Sequence, residues 1–230
     1  MRTTILICSA ALLLISAAQA QFYTAAPASE AQVQRVCGGP MVSSGPQADL
    51  LQRIVQRFAT NTLFRLNKVG IAVVNVPAVN AVTFAPSGAA MSHAAICMFS
   101  GLMAVMGDSE VEVAAIVAHE LGHAFDRTCR QYHDSAGRIM HGTKLVTVRA
   151  CEARADEIGF KILVQAGYNP FAMGGAFGRL EALKGDTRTN LLARLTNTFT
   201  STHPMTPDRI QTIHRMIADY FCRLNPATCR

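Results

Sequence analysis

Residues 109–125, SEVEVAAIVAHELGHAF, contain two histidines and a glutamate within an otherwise largely apolar run. His119 and His123 are four residues apart, so in a helix their side chains project from one face, about one turn apart. Two imidazoles in this arrangement can bind one metal ion. Glu120 lies between them, where it can reach a metal-activated water without facing the metal itself, as a general base must.

The same stretch has the pattern of a long, mostly buried helix. Ser109 and Glu112 have the spacing of a capping box, which predicts that the helix begins here. Apolar residues then continue the pattern as far as Phe125. Burying two histidines and a glutamate in such a helix without compensation would be costly, and this favours a metal site over an ordinary core helix.

A third ligand is needed, because a catalytic zinc ion takes three protein ligands and leaves one position open for water. The candidate is Glu152, on a second helix predicted over residues 143–166. Asp156 shares its face and is expected to orient a ligand histidine through the second ring nitrogen. The alternative for Asp156 is a surface ion pair with Arg154 or Lys161.

Two other histidines, His133 and His141, lie between the predicted helices and are rival ligands. Neither has a supporting pattern, so the sequence favours ordinary loop residues. A metzincin would carry a glycine and a third histidine after the first pair, but these positions are Asp126 and Cys129. That class of metalloprotease is therefore excluded.

The remaining patterns predict a mostly helical α+β domain with a small β-sheet. Apolar residues at helical spacing predict an amphipathic helix over residues 48–66 and a closing helix over residues 204–221. Short apolar runs at residues 71–76 and 95–99 predict two strands, joined through a turn-rich connection over residues 80–88.

The N-terminus has the pattern of a secretory signal peptide. Arg2 is followed by an apolar run and by Ala18-Gln19-Ala20, which fits a signal-peptidase site. The run is shorter than the roughly 20 residues that cross a bilayer as a helix, so residues 1–20 are predicted to be removed. Residues 21–46 are expected to form a loosely ordered leader, pinned through a cysteine, and residues 47–230 the catalytic domain.

The cysteine content agrees with export to the periplasm or out of the cell. The chain has seven cysteines, and removal of the signal with Cys8 leaves six in an oxidising compartment. Up to three disulfides are expected, with the pairing open and Cys222–Cys229 as the most local option. The alternative is that several are free buried thiols.

Membrane spans and nucleic-acid binding are not expected of the mature chain. Polar residues interrupt the apolar stretch over residues 89–106, which is barely long enough to cross a bilayer; a buried strand and turn is the better interpretation. The formal net charge is +6 at pH 7, but the basic residues are scattered instead of forming a stripe.

Several motifs, in the same order, resemble metallopeptidase family forty-eight, the gluzincin family of the HtpX-like heat-shock proteases and the CAAX prenyl endopeptidases. They are HELGH at residues 119–123, Glu-x-x-Ala-Asp at residues 152–156, Thr202-His203-Pro204 followed by Asp208-Arg209, and Ala166-Gly167-Tyr168-Asn169-Pro170. The resemblance covers roughly residues 47–220. It implies a zincin-like fold with an HExxH active-site helix, one Zn²⁺ per chain, and protein or peptide substrates.

The resemblance also implies roles near the metal for His203 and Arg209. The histidine would approach the zinc or the reacting oxyanion, and the arginine would help to position it. A turn residue and a helix-surface cation are the alternatives for these two side chains. The resemblance further implies that the strand over residues 95–99 is the edge along which an extended substrate pairs before cleavage.

The sequence thus predicts an exported zinc metalloendopeptidase with His119, His123 and Glu152 as ligands. Glu120 is the expected general base. Quality control of envelope proteins is the role that the resemblance suggests. The alternative is a latent or inactive zinc-binding, chaperone-like exported protein in which His203 occupies the fourth coordination position.

Overall fold

A computed structural model describes residues 34, 37–62, 69–84, 94–126, 128–129, 145–185, 203–204 and 207–228. The helices are α1 (Pro46–Asn61), α2 (Ser100–Met106), α3 (Glu110–Phe125), α4 (Leu145–Gln165), α5 (Phe171–Gly185) and α6 (Pro207–Leu224), followed by a 3-10 turn over Pro226–Thr228. The strands are β1 (Val69–Val74), β2 (Ala81–Phe84) and β3 (Ala94–Phe99). This architecture confirms the predicted mostly helical α+β fold. The predicted signal peptide lies outside the described residues, so its boundary and that of the leader stay predictions.

The three strands form one sheet in the order β1-β3-β2, with β1 parallel and β2 antiparallel to β3. The expectation that β3 is an edge strand is therefore wrong, because it pairs on both sides. The turn-rich connection predicted over residues 80–88 is also wrong at its start, where β2 forms and Ala81 pairs with Met98. Strand β2 has only four residues, which are too few to show a clear alternation of apolar and polar side chains.

Helix α3 lies at the centre of the molecule and packs against α4, α5 and β2. All its residues from Val113 to Gly122 are buried, as the sequence predicts. The helix also begins where predicted, but the capping box does not form, since the Ser109 side chain makes no cap hydrogen bond. The Glu112 carboxylate instead pairs with Arg179 of α5, at 2.9 Å.

Two glycines allow α3 and α4 to approach closely. A Cβ atom on Gly122 would lie 2.7 Å from Ala155 Cα, and one on Gly159 would lie 2.7 Å from Ala118 O. Both distances are shorter than real side chains permit, so each position needs a glycine at this helix spacing. The close approach places the ligand candidates of the two helices opposite each other.

Helices α1, α4 and α6 correspond to the predictions over residues 48–66, 143–166 and 204–221. Helix α1 ends earlier than predicted, at Asn61, because Thr62 is extended. Helix α2 replaces the turn expected after β3. Helix α5 was not predicted, although the Asn169 side chain accepts a hydrogen bond from Phe171 N–H, at 3.0 Å, at its start.

The predicted disulfides are confirmed for the cysteines that the structure describes. Cys37 is bonded to Cys97 of β3, which fixes the segment before α1 to the sheet, and Cys129 is bonded to Cys151 of α4. Cys222 is also disulfide-bonded. Within the described ranges, we find no helix that combines the length and apolar character of a membrane span.

Candidate metal centre

The structure brings His119 and His123 of α3 together with Glu152 of α4. The two histidine Nε2 atoms are 3.1 Å apart. Glu152 Oε2 lies 3.4 Å from His119 Nε2, and Glu152 Oε1 lies 3.3 Å from His123 Nε2. The four-residue spacing of the histidines along α3 and the close approach of α4 thus bring the three side chains together at one point.

A fourth side chain, His203, reaches the same point from the segment before α6. Its Nδ1 lies 3.2 Å from His119 Nε2 and 3.1 Å from Glu152 Oε2. One donor atom from each of the four residues lies within 4.8 Å of the other three. The cluster therefore offers three imidazole nitrogens and one carboxylate to a single ion.

Glu120 lies beside this cluster and is completely buried. Thr83 of β2 holds it from one side, since the hydroxyl Oγ1 lies 2.7 Å from Glu120 Oε2, to which it can donate. The other oxygen, Oε1, accepts no hydrogen bond from the described residues, and His203 Nε2 is 3.4 Å away. Thr83 was missed from the sequence, where nothing distinguishes it from any other strand threonine.

Asp156 and Arg209 support the cluster from behind. Asp156 Oδ1 lies 2.8 Å from His119 Nδ1, the ring nitrogen that faces away from the cluster. Arg209 donates to both Asp156 oxygens, at 2.7 and 2.8 Å, and its Nη1 lies 3.0 Å from Glu152 Oε2. A bidentate guanidinium of this kind fixes the orientation of the Asp156 carboxylate and also favours its charged form.

The donor set fits a divalent transition metal such as zinc. Imidazole nitrogens with a carboxylate oxygen are the ligands of catalytic zinc sites, and a histidine ligand ordinarily hydrogen-bonds a carboxylate through its other nitrogen. Glu120 Oε1, which is buried and accepts no hydrogen bond from the described residues, is the kind of oxygen that a water or substrate at the site would satisfy.

Comparison with known proteins then assigns the family. The family model described as peptidase family M48 matches residues 46–133 and 128–217, most of the chain. The chain belongs to peptidase family M48. Metalloprotease LoiP of Escherichia coli strain K12 is 29% identical to it over an alignment that covers 56% of this chain and 58% of LoiP. The chain therefore spans less than two thirds of the length of that relative.

The alternative role considered for Asp156 in this M48 chain is wrong. Asp156 is buried and pairs with Arg209, whereas Arg154 pairs with Asp126 and Lys161 pairs with Glu157. The sequence alone could not predict which cation pairs with Asp156, because Arg209 lies 53 residues further along the chain.

His203 and Arg209 are both buried, so neither an ordinary turn residue nor a helix-surface cation describes them. Their contacts with Glu152 agree with the positions that the family resemblance implies, while their roles in catalysis stay predictions. The rival ligands His133 and His141 lie outside the described residues.

The charges around the cluster shift the pKa values of its buried groups. Burial disfavours the charged form of His119, but hydrogen bonds to Asp156 and Glu152 outweigh burial and raise the pKa of His119 to about 9. Burial likewise opposes charge on Glu152, yet the neighbouring histidines hold the pKa of this carboxyl well below its usual range. The pKa of Asp156 is also lowered, because the Arg209 guanidinium outweighs the effect of burial.

Phe177 of α5 forms an apolar wall behind the site and was also missed from the sequence. Its ring meets the His119 ring edge-on, with centroids 5.4 Å apart, and the Arg209 guanidinium carbon lies 4.8 Å from its centroid. The aromatic face therefore adds a cation–π contact to the ion pairs of Arg209. Because α5 itself was not predicted, no sequence signal could have placed this residue at the site.

Proposed function

We propose that this M48 chain is a zinc-dependent metalloendopeptidase. His119, His123 and Glu152 would hold one zinc ion, and Glu120 would act as the general base. The observation that carries the proposal is the convergence of these donor atoms within 4.8 Å, beside a buried carboxylate oxygen that accepts no hydrogen bond from the part of the chain that the structure describes. Membership of the family and the likeness to a metalloprotease support the same chemistry.

When bound, the zinc ion would supply Lewis acidity, which lowers the pKa of water and polarises the scissile carbonyl. Thr83 holds Glu120 Oε2, so Oε1 is the oxygen available to take a proton from the attacking water. Glu120 would then pass this proton to the leaving amine. Asp156 accepts from His119 Nδ1 and thereby directs Nε2 toward the ligand cluster.

Strand β2 is the best candidate for aligning an extended substrate. It is an edge strand of the described sheet, and Thr83 connects it to Glu120. Asn80 O accepts from Phe99 N–H at 3.1 Å, so by antiparallel alternation the main-chain groups of Ala81 and Thr83 face away from β3. A peptide pairing there would lie beside the general base.

The test combines metal analysis of the purified protein with digestion of casein. About one zinc per chain is expected, with cleavage that a chelator blocks and added zinc restores. Glu120→Gln should keep the zinc and lose cleavage, because the amide cannot accept the proton. Glu157→Gln is the matched control, since Glu157 is exposed on α4 and pairs only with Lys161 among its described contacts. Cleavage by Glu120→Gln at the normal rate would refute the assignment.

A latent form is a second candidate, and the position of His203 favours it. Its Nδ1 belongs to the ligand cluster, and its Nε2 lies 3.3 Å from Ala81 O on the outer side of β2. A fourth protein ligand would take the coordination position that a catalytic zinc keeps for water. A silent wild type with an active His203→Ala variant would indicate latency, and two silent proteins would indicate zinc binding alone. An active wild type whose activity falls in His203→Ala would instead give His203 a role in cleavage.

We also propose that the protein is exported and acts on proteins of the cell envelope. The disulfides are those expected of an oxidising compartment. N-terminal sequencing of protein recovered from the periplasm and the medium tests this proposal. The expected first residue is Gln21, and an intact Met1 in cell-associated protein would contradict removal of residues 1–20.

A further inference from the structure

Two links join the end of α3 to α4 beside Glu152. One is the Cys129–Cys151 disulfide, whose second cysteine directly precedes Glu152 in the chain. The other is an ion pair in which Arg154 Nε donates to Asp126 Oδ2 at 2.8 Å. Asp126 is the first residue after α3. Both links therefore attach α4 to the helix that carries the two motif histidines.

Three described residues after α3, Asp126, Thr128 and Cys129, belong to this network. Asp126 is buried, and its Oδ1 accepts from Thr128 N–H at 2.9 Å. The Thr128 hydroxyl in turn lies 3.3 Å from Arg154 Nη2. Cys129, the next residue, is buried with its partner Cys151. The disulfide thus joins α4 to a cysteine that directly follows Thr128, whose contacts with Asp126 and Arg154 lie in the same network.

The links fix the rotation of α4 as well as its distance from α3. Cys151 and Arg154 are three residues apart and share one face of α4, and Glu152 lies about 100° around the helix from Cys151. The close glycine contacts of α3 and α4 involve Ala155 and Gly159, which are C-terminal to Glu152. The disulfide therefore constrains α4 on the N-terminal side of Glu152, whereas the glycine contacts constrain it on the C-terminal side.

We propose that the Cys129–Cys151 disulfide and the Asp126–Arg154 ion pair are a positioning device that holds Glu152 in register with the two motif histidines. Metal affinity then depends on the oxidised state of these cysteines. The inference rests on the proposed function, in which Glu152 is a metal ligand. Reduction of the disulfide to two thiols by a dithiol would remove the link that directly precedes Glu152, and this carboxylate would then be held less firmly against the two histidines.

The test measures zinc affinity of the oxidised full-length protein by competition with a chromogenic chelator. In Cys129→Ala/Cys151→Ala, zinc should bind about 10- to 100-fold more weakly, the usual effect of losing support for a ligand. The absorption spectrum of added Co²⁺ should change as well, because it reports the ligand set. The control is Cys37→Ala/Cys97→Ala, which removes the disulfide between the sheet and the segment before α1 and should leave zinc affinity unchanged.

A second pair of variants covers the case in which the cysteine variant fails to fold. Arg154→Met removes the ion pair from a half-exposed side chain, and zinc affinity should fall about tenfold. Lys161→Met is its control, because it removes an exposed ion pair about two turns further along the same side of α4. Arg154→Lys, which can still pair with Asp126, should recover part of the lost affinity.

Wild-type zinc affinity in both Cys129→Ala/Cys151→Ala and Arg154→Met would overturn the inference. Equal losses in these variants and in their controls would also overturn it, because they would reflect general loosening of the fold. Glu152→Gln separates this result from failure of the proposed function. If Glu152→Gln binds zinc as tightly as the wild type, the ligand assignment itself is wrong, and the positioning inference falls with it.

Discussion

Arg209→Met is expected to lower the free energy of unfolding by about 3 kcal/mol. Arg209 and Asp156 form a bidentate pair with side chains only 5% and 1% exposed, so the substitution leaves a buried carboxylate without its main partner. Breaking such a pair typically costs about 3–5 kcal/mol. We expect the low end because Asp156 keeps the contact with His119 Nδ1, at 2.8 Å.

The measurement is urea unfolding followed by circular dichroism, with the disulfides intact and a chelator present. The thermal midpoint should fall by about 6–12 °C. Arg215→Met is the control, because Arg215 is exposed on the same helix and its described side-chain contact is with Thr212 Oγ1, at 3.2 Å. The double variant Arg209→Met/Asp156→Leu should recover much of the loss, since an apolar pair needs no compensation. A change below about 0.5 kcal/mol in Arg209→Met would refute the reasoning.

Three further results are expected. Gly122→Ala should lower the free energy of unfolding by about 1–3 kcal/mol, because its Cβ would press on Ala155, whereas Gly178→Ala on α5 has no atom within 4 Å and should be neutral or stabilising. Thr83→Val should reduce casein cleavage about fivefold and leave the zinc content unchanged, because one hydrogen bond worth about 1 kcal/mol orients Glu120. Zinc at a thousandfold excess over its dissociation constant should stabilise the protein by about 4 kcal/mol, measured as a chelator-dependent shift in urea unfolding.

The sequence predicts those parts of the site that depend on local geometry. His119, Glu120 and His123 need only a helix to take their relative positions, and the apolar pattern specifies that helix strongly. Glu152 and Asp156 follow from the same rule on a second helix. From the sequence, the contact between the two helices at these residues could be inferred only because a catalytic zinc needs a third ligand. The physical reason that the helices can approach is the pair of glycines, Gly122 and Gly159.

The parts that the sequence did not predict depend on contacts between distant elements. Strand β2 is short, so its identity comes from pairing with β3 and not from its own pattern. Helix α5 shows little amphipathic periodicity, because apolar residues occupy exposed as well as buried positions: Phe171 is exposed, whereas Ala172 and Phe177 are buried. Thr83 and Phe177 belong to these two elements and could not be assigned to the site before the elements themselves were known.

Charge at the site leads to a final prediction about stability. Glu120, Glu152 and Asp156 are buried with one buried guanidinium among the described residues, that of Arg209. When His123 and His203 are neutral, as imidazoles must be to bind a metal, three carboxylates meet two cations, Arg209 and His119, whose pKa is raised to about 9. Such an excess is unfavourable in a buried site unless a cation compensates it.

Glu120→Gln removes one of these charges and keeps the shape of the side chain, so in the presence of a chelator it should raise the free energy of unfolding by roughly 0.5–2 kcal/mol. The exposed control Glu157→Gln should change it by less than about 0.5 kcal/mol. Urea unfolding with and without zinc measures both effects. A destabilised Glu120→Gln would mean that the carboxylate contributes more through its hydrogen bond from Thr83 than it costs through charge. If Glu120→Gln is more stable than the wild type, the Glu120 carboxylate destabilises the fold at the position where the proposed chemistry requires a base.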